Sequence, residues 1–143
     1  MPTTTRTPAD TSLDEAIASL QTELNRLDRV TADELAVGSA EDLQMLRLLA
    51  AQGPMRVGRI AAVRAAGKAT VSARIDRLEQ RGLVVRERDP ADRRAVTVTL
   101  TALGTTQATA SRVVRAQRLR AVDDPRHTRA VHAIVTALQQ HDG

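Results

Sequence analysis

With 143 residues the chain makes one domain-sized unit, and its 42% hydrophobic content argues against disorder. It has no Cys, which excludes disulfides, thiolate nucleophiles, thiol redox sensing and Cys-ligated zinc; the equal absence of Phe, Tyr and Trp excludes the base stacking many RNA and single-strand binders use. The net charge of +4 is uneven, with 4 Arg against 9 acids in residues 1–52 but 10 Arg and 1 Lys against 5 acids in residues 53–100, so a polyanion-binding module is expected in the middle.

Residues 1–12 read as a flexible tail, rich in Thr with two prolines. This N-terminus lacks the apolar core of a secretory signal, and no apolar stretch approaches membrane-spanning length, so a cytoplasmic protein without membrane attachment is expected. Ser12-Leu13-Asp14-Glu15 is a capping box opening a helix. Behind it Leu13, Ile17, Leu20, Leu24 and Leu27 recur at spacings of four and three, a heptad-type seam that suits pairing with another helix. The same pattern also fits an amphipathic helix packed on its own domain. Ser39 caps a second helix with Leu43, Leu46 and Leu49 on one face, closed by Gly53-Pro54. A short third helix spans about 57–63, with Val57, Ile60 and Ala61 turned inward. After the break Arg64-Ala65-Ala66-Gly67, a fourth helix runs to about Arg81 and stops at Gly82.

The period then changes. Residues 83–88 and 95–100 are β-branched runs, separated by the turn-forming stretch Asp89-Pro90-Ala91-Asp92-Arg93-Arg94: a hairpin directly after a helix-turn-helix. Thr101 caps a long helix to about Arg120, with Val113 and Val114 in its apolar set. Asp124-Pro125 opens the last helix, whose apolar stripe is Val131, Ile134, Val135 and Leu138.

The chemistry concentrates in the fourth helix and the hairpin. At 100° per residue Val71, Ile75 and Leu78 share one stripe, which leaves Lys68, Ala69, Thr70, Ser72, Ala73, Arg74, Asp76 and Arg77 on the other faces. Small residues let such a helix lie deep in a major groove, where hydroxyls and Arg reach phosphates or base edges. Arg86, Arg88, Arg93 and Arg94 flank or occupy a turn of the size of a minor groove. Arg56 joins this DNA-binding set. Taken alone, the helix is equally an ordinary solvated face; the hairpin beside it favours DNA. His127 and His132 are five residues apart on different helical faces, so neither they nor His141 make a metal pair, and no metal or cofactor is expected. No phosphate loop or nucleophile motif is present, and the adjacent acids read as turns and caps, so enzyme activity is not expected.

The run from Gly67 to Val84 resembles the recognition helix and its exit in the MarR family of regulators, and Asp89-Pro90-Ala91-Asp92-Arg93-Arg94 with the strand to Thr101 resembles that family's wing. The order of elements is similar over roughly residues 13–140. The resemblance implies a mainly α fold with a small β-hairpin wing: a winged helix-turn-helix lobe over residues 39–100, a dimerisation helix in 13–38 and C-terminal dimerisation helices in 101–143. It implies a homodimer held through Leu13, Ile17, Leu20, Leu24, Val131, Ile134, Val135 and Leu138, bound to a palindromic double-stranded operator as a repressor. Arg94 would make the minor-groove contact, with Asp92 as its orienting partner. It also implies a small anionic ligand between the dimerisation region and the lobe, held here among aliphatic side chains by Arg or His. The chain departs from the family at Arg64 and Ala65, where an apolar residue and a glycine are usual, at Gly67 for serine, and at Ala73 for arginine. Two other functions fit the same elements: a protein–protein adaptor on a winged-helix fold, and a sequence-tolerant nucleoid-type DNA binder.

Overall fold

The structure, a computed structural model, describes residues 11–141, so all but the last two residues of the expected tail lie outside the described residues. Helix α1 (Leu13–Glu34) opens with both halves of the capping box: Ser12 Oγ accepts from Glu15 N and the Glu15 carboxylate accepts from Ser12 N, each at 3.2 Å. Helix α2 (Ala40–Gln52) opens the same way on Ser39 and Asp42 and closes on Gly53, whose φ of +78° suits a residue without a Cβ. Helices α3 (Val57–Arg64) and α4 (Lys68–Gln80) follow, joined by the three residues 65–67.

Strands β2 (Val84–Asp89) and β3 (Asp92–Leu100) form the expected hairpin, but it is longer and tighter than the sequence suggests. Asp89, Asp92, Arg93 and Arg94 belong to the strands, and only Pro90-Ala91 turns between them. A third strand, β1 (Met55–Arg56), pairs Met55 with Val98 and Arg56 with Thr97, giving the antiparallel order β1-β3-β2. Two residues are too few to show an alternating period, so the sequence gives no sign of β1.

Helix α5 (Ala102–Leu119) is capped by Thr101, whose Oγ1 accepts from Gly104 N at 3.0 Å; a 3₁₀ turn (Arg120–Val122) leads to α6 (Pro125–His141). The core is aliphatic and lies in the lobe: Leu43, Leu46, Leu49, Met55, Ile60, Val71, Ile75, Leu78, Val84 and Val98 are buried against one another. The expected inward faces of α2 and α4 are these same residues. Helix α5 differs from expectation. It buries Gly104, Ala108 and Ser111, about one turn apart, with Gly104 against the Leu83 carbonyl, while Val113 is left exposed. No residue of α6 is buried. Among the described residues no helix is long and apolar enough to cross a membrane.

Candidate nucleic-acid interface

Helix α4 buries the stripe Val71, Ile75 and Leu78 and turns Lys68, Ala69, Thr70, Ala73 and Arg77 to solvent. Ser72 is half-buried beside them. Gly67 supplies no side-chain cap, so the first-turn amides keep their capacity for an outside acceptor. Neither the Lys68 nor the Arg77 side chain has a hydrogen-bond or ion-pair partner among the described residues.

Two arginines of the expected DNA-binding set, Arg74 on α4 and Arg86 on β2, are turned elsewhere. Arg74 is not a free cation: its Nη1 lies 2.9 Å from Asp42 Oδ1 and donates to Ser39 Oγ at 3.1 Å, which ties α4 to the first turn of α2. Arg86 is not free either. Its Nη2 lies 2.6 Å from Asp76 Oδ1, its Nη1 donates to Glu79 Oε1 at 3.1 Å, and its backbone N–H donates to Glu79 Oε2 at 3.0 Å. The side chain also reaches the Ser72 carbonyl at 3.4 Å. The physical reason is the same in both cases. A guanidinium half-withdrawn from water needs acceptors at once, and carboxylates on the neighbouring element supply them.

The wing is fixed by short polar links. Asp89 Oδ1 accepts from Ala91 N at 2.9 Å, and Arg88 Nη1 donates to the Arg93 carbonyl at 2.9 Å. Arg56 Nη2 meets Asp89 Oδ2 at 2.9 Å, which joins β1 to the turn. That guanidinium, helped by the Ala91 amide, holds the Asp89 carboxyl below its ordinary range. Asp92 meets Arg94 at the main chain only: its Oδ1 accepts from Arg94 N at 3.0 Å. No ion pair joins the two side chains among the described residues, so the Arg93 and Arg94 guanidinium groups project from the wing unpaired.

The residues missed by sequence reasoning are the acceptors: Asp28, Asp42, Asp76, Glu79 and Asp89. Only Asp42 had a visible sign, since Ser39-x-x-Asp42 matches a capping-box spacing. Asp28 is buried and joins three helices: it accepts from Gln44 Nε2 at 2.9 Å and faces Arg47 at 2.5 Å and Arg115 at 3.3 Å. Beside it a cleft of about 720 Å³ is lined by Gln44, Arg47, Arg64 and Arg115.

Of the expected dimerisation residues, Leu13, Leu20, Val131, Val135 and Leu138 are exposed; Ile17, Leu24 and Ile134 are half-buried. A mostly apolar groove of about 840 Å³ runs between α1, α5 and α6, with His127 and His132 at its rim. His127 Nδ1 sits 2.9 Å from the Val122 carbonyl, an ordinary structural contact.

A helix-turn-helix followed by a three-stranded wing, carried on long flanking helices, defines a winged helix-turn-helix protein. The MarR family model matches residues 39–96, and solved structures of MarR-type regulators share the whole arrangement. The apo MarR of E. coli matches with a TM-score of 0.74 and 18% identity over 90% of this chain and 96% of its own. A MarR transcriptional regulator from Methanosarcina mazei Go1 gives 0.77 at 17% identity over 90% and 95%. The transcriptional repressor CouR, bound to a 23-mer DNA duplex, gives 0.74 at 23% over 90% and 92%. In sequence, the HTH-type transcriptional regulator YcgE of Bacillus subtilis (strain 168), itself uncharacterised, is 42% identical over 57 residues, which span 40% of this chain and 37% of that protein. The family match thus spans the central lobe, residues 39–96, and the likeness over the rest of the chain is one of fold.

Proposed function

We propose that the chain is a homodimeric regulator that binds a palindromic double-stranded operator and represses transcription. The observation that carries this reading is the fate of the basic residues. After Arg56, Arg74 and Arg86 are taken up by carboxylates and Arg88 by the Arg93 carbonyl, the cations left unpaired on α4 and the wing are Lys68, Arg77, Arg93 and Arg94. They occupy the two places that would face a major groove and its neighbouring minor groove. CouR, which shares the fold, is bound to duplex DNA. The small exposed residues Ala69, Thr70 and Ala73 leave α4 slim enough to approach base edges.

The test is a gel-shift titration against duplexes selected from a random pool, over a range of salt. Wild-type protein is expected to prefer selected to random duplex, with affinity falling steeply as salt rises. Arg77→Ala and Arg94→Ala are each expected to lower affinity about tenfold while leaving the far-UV circular dichroism unchanged. Unchanged affinity in both variants would remove the contact assignment, and equal affinity for selected and random duplex would favour the nucleoid-type reading. The Arg-lined cleft beside Asp28 is where a small carboxylate would seat to release DNA, at the junction of α1, α2 and α5.

A further inference from the structure

Asp42 is 3% exposed, yet two arginines of the recognition-helix segment converge on it. Its Oδ2 accepts from the backbone N–H of Ser39 at 3.2 Å, and its Oδ1 accepts from Arg74 Nη1 at 2.9 Å. The same Arg74 nitrogen donates to Ser39 Oγ. Arg81, one residue past the end of α4, brings Nη1 to 3.9 Å from Asp42 Oδ2 and donates to the Val37 carbonyl. Seven residues, about two helical turns, separate the two arginines, so the carboxylate holds α4 at two levels. Gly38 makes the space: with φ of +123° it tolerates no side chain, and a Cβ there would lie 1.9 Å from Arg81 Nη1 and 2.6 Å from Asp42 Oδ2.

Apolar packing alone fixes α4 weakly against rotation. Val71, Ile75 and Leu78 rest on other aliphatic side chains, and dispersion between such groups has little angular preference. Hydrogen bonds to a buried carboxylate are directional, and breaking one strands a charge out of water. We infer that Asp42 is a positioning residue for DNA recognition: through Arg74 and Arg81 it sets the rotation of α4 about its axis, and so the aim of Thr70, Ala73 and Arg77, without touching DNA. The inference rests on the DNA-binding reading above.

Electrostatics alone gives the opposite sign for the decisive variant. Removing a negative charge from a polyanion-binding lobe should strengthen binding. Losing the aim of the helix should weaken it. The experiment measures full-length Asp42→Asn, Arg74→Gln, Arg74→Lys and the Asp42→Asn/Arg74→Gln double variant, against a duplex selected by the wild-type protein and a random duplex of equal length, over a salt series. Asp42→Asn is expected to lower affinity for the selected duplex about tenfold, the size of one lost base contact, while random-duplex affinity stays within about twofold. The slope of log affinity against log salt stays unchanged, because no phosphate contact is lost. The double variant loses no more than the worse single, and Arg74→Lys recovers part of the loss.

Affinity for the selected duplex that is equal or higher in Asp42→Asn overturns the inference. So does a slope reduced by about one in Arg74→Gln, which would place that guanidinium on a phosphate. If Asp42→Asn does not fold, Arg74→Gln and Arg81→Gln carry the same two readings. Loss confined to the selected duplex at constant slope supports the inference, and equal loss on both duplexes overturns it. A wild-type protein with no salt-sensitive attachment to any duplex fails differently, and takes the DNA-binding reading down with it.

Discussion

Ala65 ends α3 with φ of +49°, a left-handed backbone that costs an L-residue about 1–2 kcal/mol relative to glycine. Its N–H closes the helix onto the Ala61 and Ala62 carbonyls, so the conformation is held by the turn into α4 rather than chosen by the residue. Glycine would remove the steric cost but add freedom to the unfolded chain. Ala65→Gly is therefore expected to stabilise the protein by about 0.5–1 kcal/mol, read from urea unfolding followed at 222 nm. No gain would mean that the turn relaxes around alanine. Gly104 is the reverse case. A Cβ there would lie 1.9 Å from the Leu83 carbonyl oxygen, and that oxygen also accepts from Thr101 N at 3.1 Å. Neither backbone can withdraw without undoing the junction between β2 and α5. Gly104→Ala is expected to cost about 3 kcal/mol, the upper end for overpacking, in the same unfolding assay. A cost below about 1 kcal/mol would show that α5 can shift away from the sheet.

The wing shows how charge becomes geometry at the level of an element. Arg56 on β1 and Asp89 at the turn form a link that the sequence could not display, because 33 residues separate them. The Arg56 hydrogen bond, then the Ala91 amide, depress the Asp89 carboxyl, while partial burial opposes them. A carboxyl whose folded pKa is lowered stabilises the fold above its unfolded value and stops doing so as pH falls through the folded one. The link should therefore hold at neutral pH and open only in acid, below the usual 3.8. An NMR titration of the Ala91 amide is expected to show a midpoint under that value, and Asp89→Asn should abolish the transition. A midpoint at or above 3.8 would mean that Arg56 does not hold the turn. The elements themselves were legible wherever a period or a cap carried them: the α4 stripe, the α2 face and the Ser12 box all read directly from spacing. The inward stripe of α5 was not, because Gly104, Ala108 and Ser111 carry almost no hydropathy and their role is close approach. The free and paired arginines were equally indistinguishable, since Arg74 and Arg77 differ only in whether an acid from a distant element meets them. The acidic first third of the sequence supplies acceptors to the other elements: Asp42 takes Arg74 and Arg81 of the basic middle, while Asp28 takes Arg47 of α2 and Arg115 of α5, and Glu34 takes Arg118 of α5.

For the whole molecule, the distribution of exposed apolar groups sets the problem of assembly. Of the ten large hydrophobic side chains left exposed among the described residues, Leu13, Leu20, Leu103, Val113, Val122, Val131, Val135 and Leu138 lie on α1, α5, α6 and the 3₁₀ turn between them. The lobe contributes only Val63 and Val96. A monomer rarely leaves so much apolar surface together, and α6 has no buried residue of its own to hold it in place. A second copy meeting α1, α5 and α6 would cover these groups and would set two recognition helices about 34–36 Å apart, one turn of duplex. Sedimentation is expected to give twice the 15.4 kDa chain mass. Val131→Glu combined with Leu138→Glu should give single chains, because each places an unpaired carboxylate in the surface to be buried. Those chains keep the lobe and its cations, so attachment to DNA should persist in weakened form, with about half the wild-type salt slope because half the phosphates are neutralised. A wild-type protein that sediments as one chain while holding a palindromic duplex at full slope would contradict this. The exposed apolar faces of α1, α5 and α6 would then be free for a different protein, as an adaptor requires.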